Sequence, residues 1–201
     1  AKGSSNIIGD IGSSTGAVEF DSSPVVANGN GIVSTHGNIV GPVKFLNSSN
    51  QELIIEDGKN ITGTVTTDAT DRGTLTFKGS TVTGGDIGTD LFKLDQVNME
   101  SGTVILNNNI AATNVLASEC TKLIVNDDVK INSGVLYSAG FQNHGLLQLG
   151  TFANPRTLTV GTYNLPIGAP VLSKIDVFVN NGGVNYSSMI GIGEIALFNR
   201  E

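Results

Sequence analysis

Tryptophan is missing from the sequence, cysteine occurs once, and aromatic residues make up only 5% of the 201 positions. A single cysteine excludes an intrachain disulfide and any zinc site built from paired thiolates. Cys120 is expected to be a small buried residue, because the free thiol is among the most buried side chains. With no tryptophan and few other rings, platforms for stacking sugar rings are poorly provided for. Five prolines against 26 glycines exclude a collagen-like chain, and 14% charged beside 39% hydrophobic residues exclude disorder.

Positive charge is equally sparse. The eleven lysines and arginines are scattered singly among eighteen acids, for a formal net charge of −7, so no basic run can track a phosphate backbone. No nucleic-acid partner is expected. The longest apolar runs, such as Ile175 to Val179 interrupted by Asp176, fall far short of the roughly 20 residues a spanning helix needs. No membrane insertion by this chain is expected. The N-terminal AKGSSNIIGD lacks a basic region followed by an apolar core. If the protein is exported, this chain is expected to be a mature or excised piece.

Helical periodicity is nearly absent as well; apolar residues recur at i and i+2 between clusters of Gly, Asn, Asp and Thr, which predicts an all-β chain. Five segments share a pattern of Gly, any residue, an aliphatic, any residue, then Phe or Leu. They are Gly16-Ala-Val-Glu-Phe20, Gly41-Pro-Val-Lys-Phe45, Gly73-Thr-Leu-Thr-Phe77, Gly102-Thr-Val-Ile-Leu106 and Gly145-Leu-Leu-Gln-Leu149. Residues two apart on a strand share a face, so Val18/Phe20, Val43/Phe45, Leu75/Phe77, Val104/Leu106 and Leu147/Leu149 are expected to point inward. Glu19, Lys44, Thr76 and Gln148 are expected outside. The leading glycine suits a corner that needs positive φ or a close backbone approach.

A longer repeat overlies this one. Glu52-Leu-Ile-Ile-Glu-Asp57 resembles Lys122-Leu-Ile-Val-Asn-Asp127, and at the same offset of 70 positions Ile61 matches Ile131 and Val65 matches Val135. The register then slips by two, aligning Gly73–Phe77 with Gly145–Leu149, while Gly9-Asp-Ile-Gly12 is echoed by Gly85-Asp-Ile-Gly88. Self-similarity with slack in its period is the mark of a solenoid. The reading is a right-handed parallel β-helix with three rungs of roughly 20 to 25 residues per repeat, each strand pairing in parallel with its equivalent one rung away. The inward pairs would stack into one continuous apolar column.

Residues 1–153 are assigned to these β-solenoid rungs, and 154–201 to an irregular or capping β segment of the same domain. In that segment Pro155, Pro166 and Pro170 crowd together, and Ile175–Val179, Asn180–Gly183 and Val184–Tyr186 read as strand, turn, strand, an antiparallel cap or a bulged rung. Asn60, Asn107 to Asn109, Asn126 and Asn132 are expected at strand ends, where asparagine tolerates left-handed backbone and bonds local main chain. A sandwich of short strands is the rival fold, with Asp57-Gly58 and Asn28-Gly29 as its best hairpin signals.

Reactive constellations are hard to find. His36 and His144 lie in loop-like contexts, and neither Gly-x-Ser-x-Gly nor His-Glu-x-x-His occurs. A general base needs a positioned nucleophile and an orienting third group. Asp57, Asp68, Asp71, Asp86, Asp90, Asp127 and Asp128 fall mainly at turns, not as a carboxylate pair set for glycoside hydrolysis. Gly84-Gly-Asp-Ile-Gly-Thr-Asp90 has some character of a calcium turn, but the nonapeptide calcium repeat requires tandem recurrence, which is lacking. Thr62, Thr64, Thr66, Thr74 and Thr76 hint at an ice-binding array whose register other rungs do not keep. No catalytic, cofactor-binding or metal-binding residue is assigned, no cofactor is expected, and the chain is not expected to be an enzyme.

Three runs carry a family resemblance: Leu53-Ile-Ile-Glu-Asp-Gly-Lys-Asn-Ile-Thr-Gly-Thr-Val-Thr-Thr67, Gly73-Thr-Leu-Thr-Phe-Lys-Gly-Ser-Thr-Val-Thr-Gly84 and Gly102-Thr-Val-Ile-Leu-Asn-Asn-Asn-Ile-Ala-Ala-Thr-Asn-Val115. With Ile87-Gly between them, they resemble the passenger repeats of rickettsial surface cell antigens, autotransporters of the outer-membrane protein B type. The likeness spans roughly residues 9 to 150 in order and fades over 154–201. It implies an internal fragment of a large passenger, exported through the periplasm to the bacterial cell surface or outer membrane by a C-terminal β-barrel, or released from the cell. It also implies adhesion to or invasion of host cells through a host cell-surface protein. A single cysteine agrees with export, since passengers cross the outer membrane largely unfolded. A structural surface-coat spacer and a polysaccharide-active β-helix enzyme are the alternatives.

Overall fold

Alternation of apolar and polar residues dictates strands, and glycine-rich corners dictate where each strand stops; the computed structural model shows both operating along one coil. It describes residues 4–9, 11–12, 18–21, 31–46, 51–131, 141–151, 153–160, 163–164, 174–176, 188–191 and 195–196. In chain order the strands are β1 (Ser4–Ile7) and β2 (Val18–Asp21); β3 (Ile32–Thr35) and β4 (Val43–Leu46); β5 (Glu52–Ile55) and β6 (Val65–Thr67). Then follow β7 (Thr74–Phe77) and β8 (Thr81–Val82); β9 (Leu94–Met99) and β10 (Gly102–Leu106); β11 (Ala112–Ala117), β12 (Thr121–Val125) and β13 (Val129–Ile131). The chain continues through β14 (Phe141–Asn143), β15 (Leu146–Leu149) and β16 (Thr157–Val160); β17 (Tyr163–Asn164), β18 (Lys174–Asp176) and β19 (Ser188–Gly191); and β20 (Ile195–Ala196). No helix occurs among the described residues.

Every strand pairing is parallel and joins one turn of the coil to the next. The first face is a nine-stranded sheet ordered β1-β3-β5-β7-β9-β11-β14-β17-β20. Parallel bridges link Ile11, Ile39, Ile61 and Thr83 on the second face, which continues as the sheet β8-β10-β12-β15-β18. On the third face β2-β4-β6 leads through bridges from Val65 to Ile87, Ile110 and Ile131 into β13-β16-β19. The fold is therefore a parallel β-solenoid with three faces per turn. Residues 31–131 make about five of these turns. The register Ile32↔Glu52↔Thr74↔Gln96 advances by 20, 22 and 22 residues per turn, within the rung length expected from the sequence.

The core is the stack of inward side chains. On the first face Leu53, Leu75, Val97, Val115 and Phe141 lie in one column, and Ile55, Phe77, Met99 and Ala117 in its neighbour, all buried. Val104, Leu123 and Leu147 stack on the second face; Val43, Val65, Ile87, Ile110 and Ile131 on the third. Complete burial of a large aliphatic or aromatic side chain is worth about 1.5 to 3 kcal/mol, a gain renewed at each turn. Asn143 is also fully buried at the end of its column. Its amide nitrogen donates to the Gly145 carbonyl, and its oxygen accepts the Gly145 amide, so the polar group is satisfied inside its own turn.

The five patterned segments are all strands, but the inward pairs do not form the single column expected. Val43/Phe45 belong to the third face, Leu75/Phe77 to the first, and Val104/Leu106 and Leu147/Leu149 to the second. Alternation decides inside from outside; which face a strand joins depends on the length of chain between corners. Corner glycines behave as expected at Gly41, Gly73 and Gly102, whose φ is positive, while Gly16 lies outside the described residues. Thr76 points outward yet is buried, because Glu52 and Asn98 bond its hydroxyl from the adjacent turns. Asp57-Gly58 makes a corner between two faces, with Lys59 N–H donating to the Glu56 carbonyl, and not a hairpin; Asn28-Gly29 lies outside the described residues. Beyond residue 154, β16 through β20 pair in parallel with the preceding turn, and the one antiparallel bridge among the described residues, Gly150 to Pro155, closes a short excursion. The described strands of that segment thus extend the same ladders.

Candidate binding surface

Corners join successive faces of the coil, and polar side chains zip two of them. Asn60 N–H donates to Asn38 Oδ1 at 3.0 Å, and Val82 N–H to Asn60 Oδ1 at 2.9 Å. At another corner Asn109 N–H donates to Asp86 Oδ1 and Lys130 N–H to Asn109 Oδ1, each at 2.9 Å. Asp57 accepts Ser80 N–H at 2.7 Å, Asp128 accepts Thr157 N–H at 2.8 Å, and Asn126 donates to Asn107 Oδ1 at 2.8 Å. Asparagine at strand ends was expected to serve its own loop through left-handed backbone. Instead these side chains reach one turn along the axis, and Asp71 is the only described non-glycine residue with positive φ. The corner amides, turned away from the sheet ladders, need acceptors, and a short carboxylate or carboxamide on the previous turn supplies them.

Most of the turn acids are therefore structural. Asp57, Asp71, Asp86, Asp90, Asp127 and Asp128 are exposed, while half-buried Asp68 pairs with Arg72 at 2.9 Å. Asp71 ties three turns together: its backbone N–H donates to the Lys93 carbonyl, Lys93 Nζ lies 3.7 Å from its carboxylate, and Thr113 donates its hydroxyl to the same oxygen. Burial pushes the Asp95 carboxyl above the usual carboxylate range, and the nearby charge of Asp71 adds to the shift. Asp86 in the Gly84–Asp90 stretch holds Asn109. Among the described residues no group of three or more His, Cys, Asp or Glu is placed to hold a metal ion.

Other singled-out residues are dispersed. His36 is exposed and His144 half-buried, and they lie on different turns. Cys120, expected in the core, is exposed. It occupies the corner between β11 and β12, where its carbonyl accepts the Gly102 amide and the chain has left the alternating pattern that sends side chains inward. A corner cavity of about 490 Å³ lies beside it, lined also by Thr103, Glu119, Lys122 and Leu146. Thr62 and Thr66 turn their hydroxyls back onto the carbonyls of Ile39 and Val43 on the preceding turn, at 3.3 and 3.2 Å. Hydroxyls so used hold turns together and form no regular outward array.

What the sequence did not flag is the corner between β8 and β9. Leu91 is 74% exposed and Phe92 41% exposed there. The available signal was two consecutive apolar residues in a stretch, 88–93, where alternation breaks down. No protein-family model matches the chain, and no curated protein or solved structure matches it either.

Proposed function

We propose that this chain is part of an autotransporter passenger exposed on the bacterial surface, where it acts in adhesion to or invasion of host cells through a host cell-surface protein. The observation that carries the reading is the coil of parallel turns, stiffened at its corners by the Asn38–Asn60 and Asp86–Asn109 zips. Such a rod holds exposed corner residues in fixed places far apart, the geometry an adhesin needs. The likeness of residues 9 to 150 to rickettsial passenger repeats supports the same reading. An obligatory export step suits a coil that assembles turn by turn, since each added turn finds its template in the previous one.

The test is saturable binding of the purified 201-residue chain to cultured mammalian cells, followed by charge-reversal substitutions on one outer corner at a time. Loss of binding from one corner is the expected result. Absence of saturable binding would remove the adhesin reading and leave the surface-coat spacer.

A further inference from the structure

We infer, building on the adhesin reading, that the corner loop at residues 88–93 is the contact point. Its Leu91–Phe92 tip enters an apolar pocket on a host cell-surface protein whose rim carries lysine or arginine. The loop is surplus chain. Ile87 bridges Ile110, and Leu94 pairs with Ala112, so both ends of the segment are pinned to equivalent positions one turn on. There Ala111 alone spans the same gap, and of residues 88–93 Thr89 to Phe92 are exposed, while Gly88 stays buried with its amide donating to the Val65 carbonyl.

The projection is held firmly. At its base Gly88 has φ +68°, and a Cβ there would lie 2.0 Å from the Ala111 carbonyl oxygen. Inside it Thr89 N–H donates to the Phe92 carbonyl, and Phe92 N–H to Thr89 Oγ1, both at 3.0 Å. At its far end the Lys93 carbonyl accepts the Asp71 amide at 3.0 Å. Two large apolar side chains on a braced loop lose little freedom on binding, the condition under which a small contact becomes a hot spot.

Charge selects the partner. Beside the base of the loop lies a cavity of about 230 Å³ lined by Asp86, Thr89, Asp90, Asn109 and Lys130. Exposed carboxylates of Asp86 and Asp90 lie at the loop, while Asp71 at its far end is paired with Lys93, on a chain of net charge −7. A cationic rim complements these acids and speeds encounter. A lipid surface fits worse, because inserting the tip would press the carboxylates against headgroups, anionic ones above all.

The experiment measures binding of the labelled 201-residue chain to intact cultured mammalian cells, before and after mild protease treatment of the cells, and to phosphatidylcholine vesicles. Leu91→Ser/Phe92→Ser is expected to weaken saturable binding at least ten-fold. Asp90→Lys is expected to weaken it several-fold, and Val82→Thr on the second face to leave it unchanged. Protease treatment should abolish binding, and the vesicles should bind nothing. Equal binding by the wild type and the tip variant would overturn this inference and leave the adhesin reading standing. Binding that survives protease treatment, or appears on vesicles, would overturn it in favour of a lipid partner. No binding by the wild type would sink the adhesin reading and this inference with it. Melting curves check that each variant folds; should the tip variant not fold, Asp90→Lys decides, and unchanged binding there counts against the inference.

Discussion

Replacing three glycines by alanine, one at a time, separates backbone strain from the close approach of consecutive turns. At Gly31 φ lies outside the left-handed region and an added Cβ would meet open space, so Gly31→Ala acts mainly on the unfolded chain. It should stabilise by roughly 0.4 to 1 kcal/mol. Gly58 has φ +72° and also faces open space. The left-handed backbone costs an L-residue about 1 to 2 kcal/mol, and with the same gain in the unfolded state Gly58→Ala should destabilise by about 1 kcal/mol. At Gly102 φ is +76°, and a Cβ would lie 2.6 Å from the Ser80 amide nitrogen and 2.7 Å from the Gly79 carbonyl carbon. Those atoms are backbone of the preceding turn and cannot swing aside, which adds an overpacking cost of about 1 to 3 kcal/mol. Gly102→Ala should therefore destabilise by about 2 to 4 kcal/mol. Equilibrium urea unfolding followed by circular dichroism gives the three differences directly, provided the slope with denaturant stays constant. If Gly102→Ala costs no more than Gly58→Ala, the turns are not packed as closely at that corner as the structure has them, and the reasoning fails.

Thr35 is fully buried among the inward side chains of the first face, and among the described residues its hydroxyl has no hydrogen-bond partner; Thr35→Val should stabilise by about 1 kcal/mol, and a lower melting temperature would show that the hydroxyl is satisfied. The raised pKa of Asp95 means that the folded protein holds this proton more tightly than the unfolded chain does. Its contribution is therefore favourable below the ordinary value of 3.8 and is lost as pH rises through the folded-state pKa. Asp95→Asn should raise the melting temperature at neutral pH and lose that advantage as the pH falls towards 3.8; an equal gain at both ends of the range would contradict the assignment. Exposed Cys120 should react with a maleimide in the native protein as fast as in urea, whereas strong protection would return it to the core.

How much of this was legible depended on which physical rule a residue obeys. Val43, Phe45, Leu75, Phe77, Val104 and Leu106 follow the two-residue alternation of a strand, a local rule, and their burial could be read from spacing alone. Cys120 breaks the rule: hydrophobic character argued for the core, but its position in the corner after β11 puts it outside. Thr76 was legible in direction and not in burial, because the groups that cover it, Glu52 and Asn98, come from other turns. The zips of Asn60 and Asn109 were hidden for the same reason, since their partners lie about one turn away in sequence.

The offset of 70 residues becomes intelligible only when laid on the coil. Three turns on from Glu52 the register reaches Asn114, still on the first face. Lys122, the sequence match of Glu52, lies beyond it in β12 on the second face. Leu75 moves in three turns to Phe141, whereas its match, Leu147, is again on the second face. Ile61 on the second face matches Ile131 on the third. Each match thus advances three turns and one face. Such a shift preserves structure only if the three faces are interchangeable environments, each asking for an inward aliphatic at alternate positions and a corner that turns sharply. The sequence period therefore measures the equivalence of faces and not the length of a turn. Corners escape that equivalence. One crosses from Ile110 to Ala112 through Ala111 alone, while the corner before it carries residues 88–93. Length can vary there without disturbing the ladders on either side, so a repetitive coil of this kind has its freedom to acquire a binding feature at its corners.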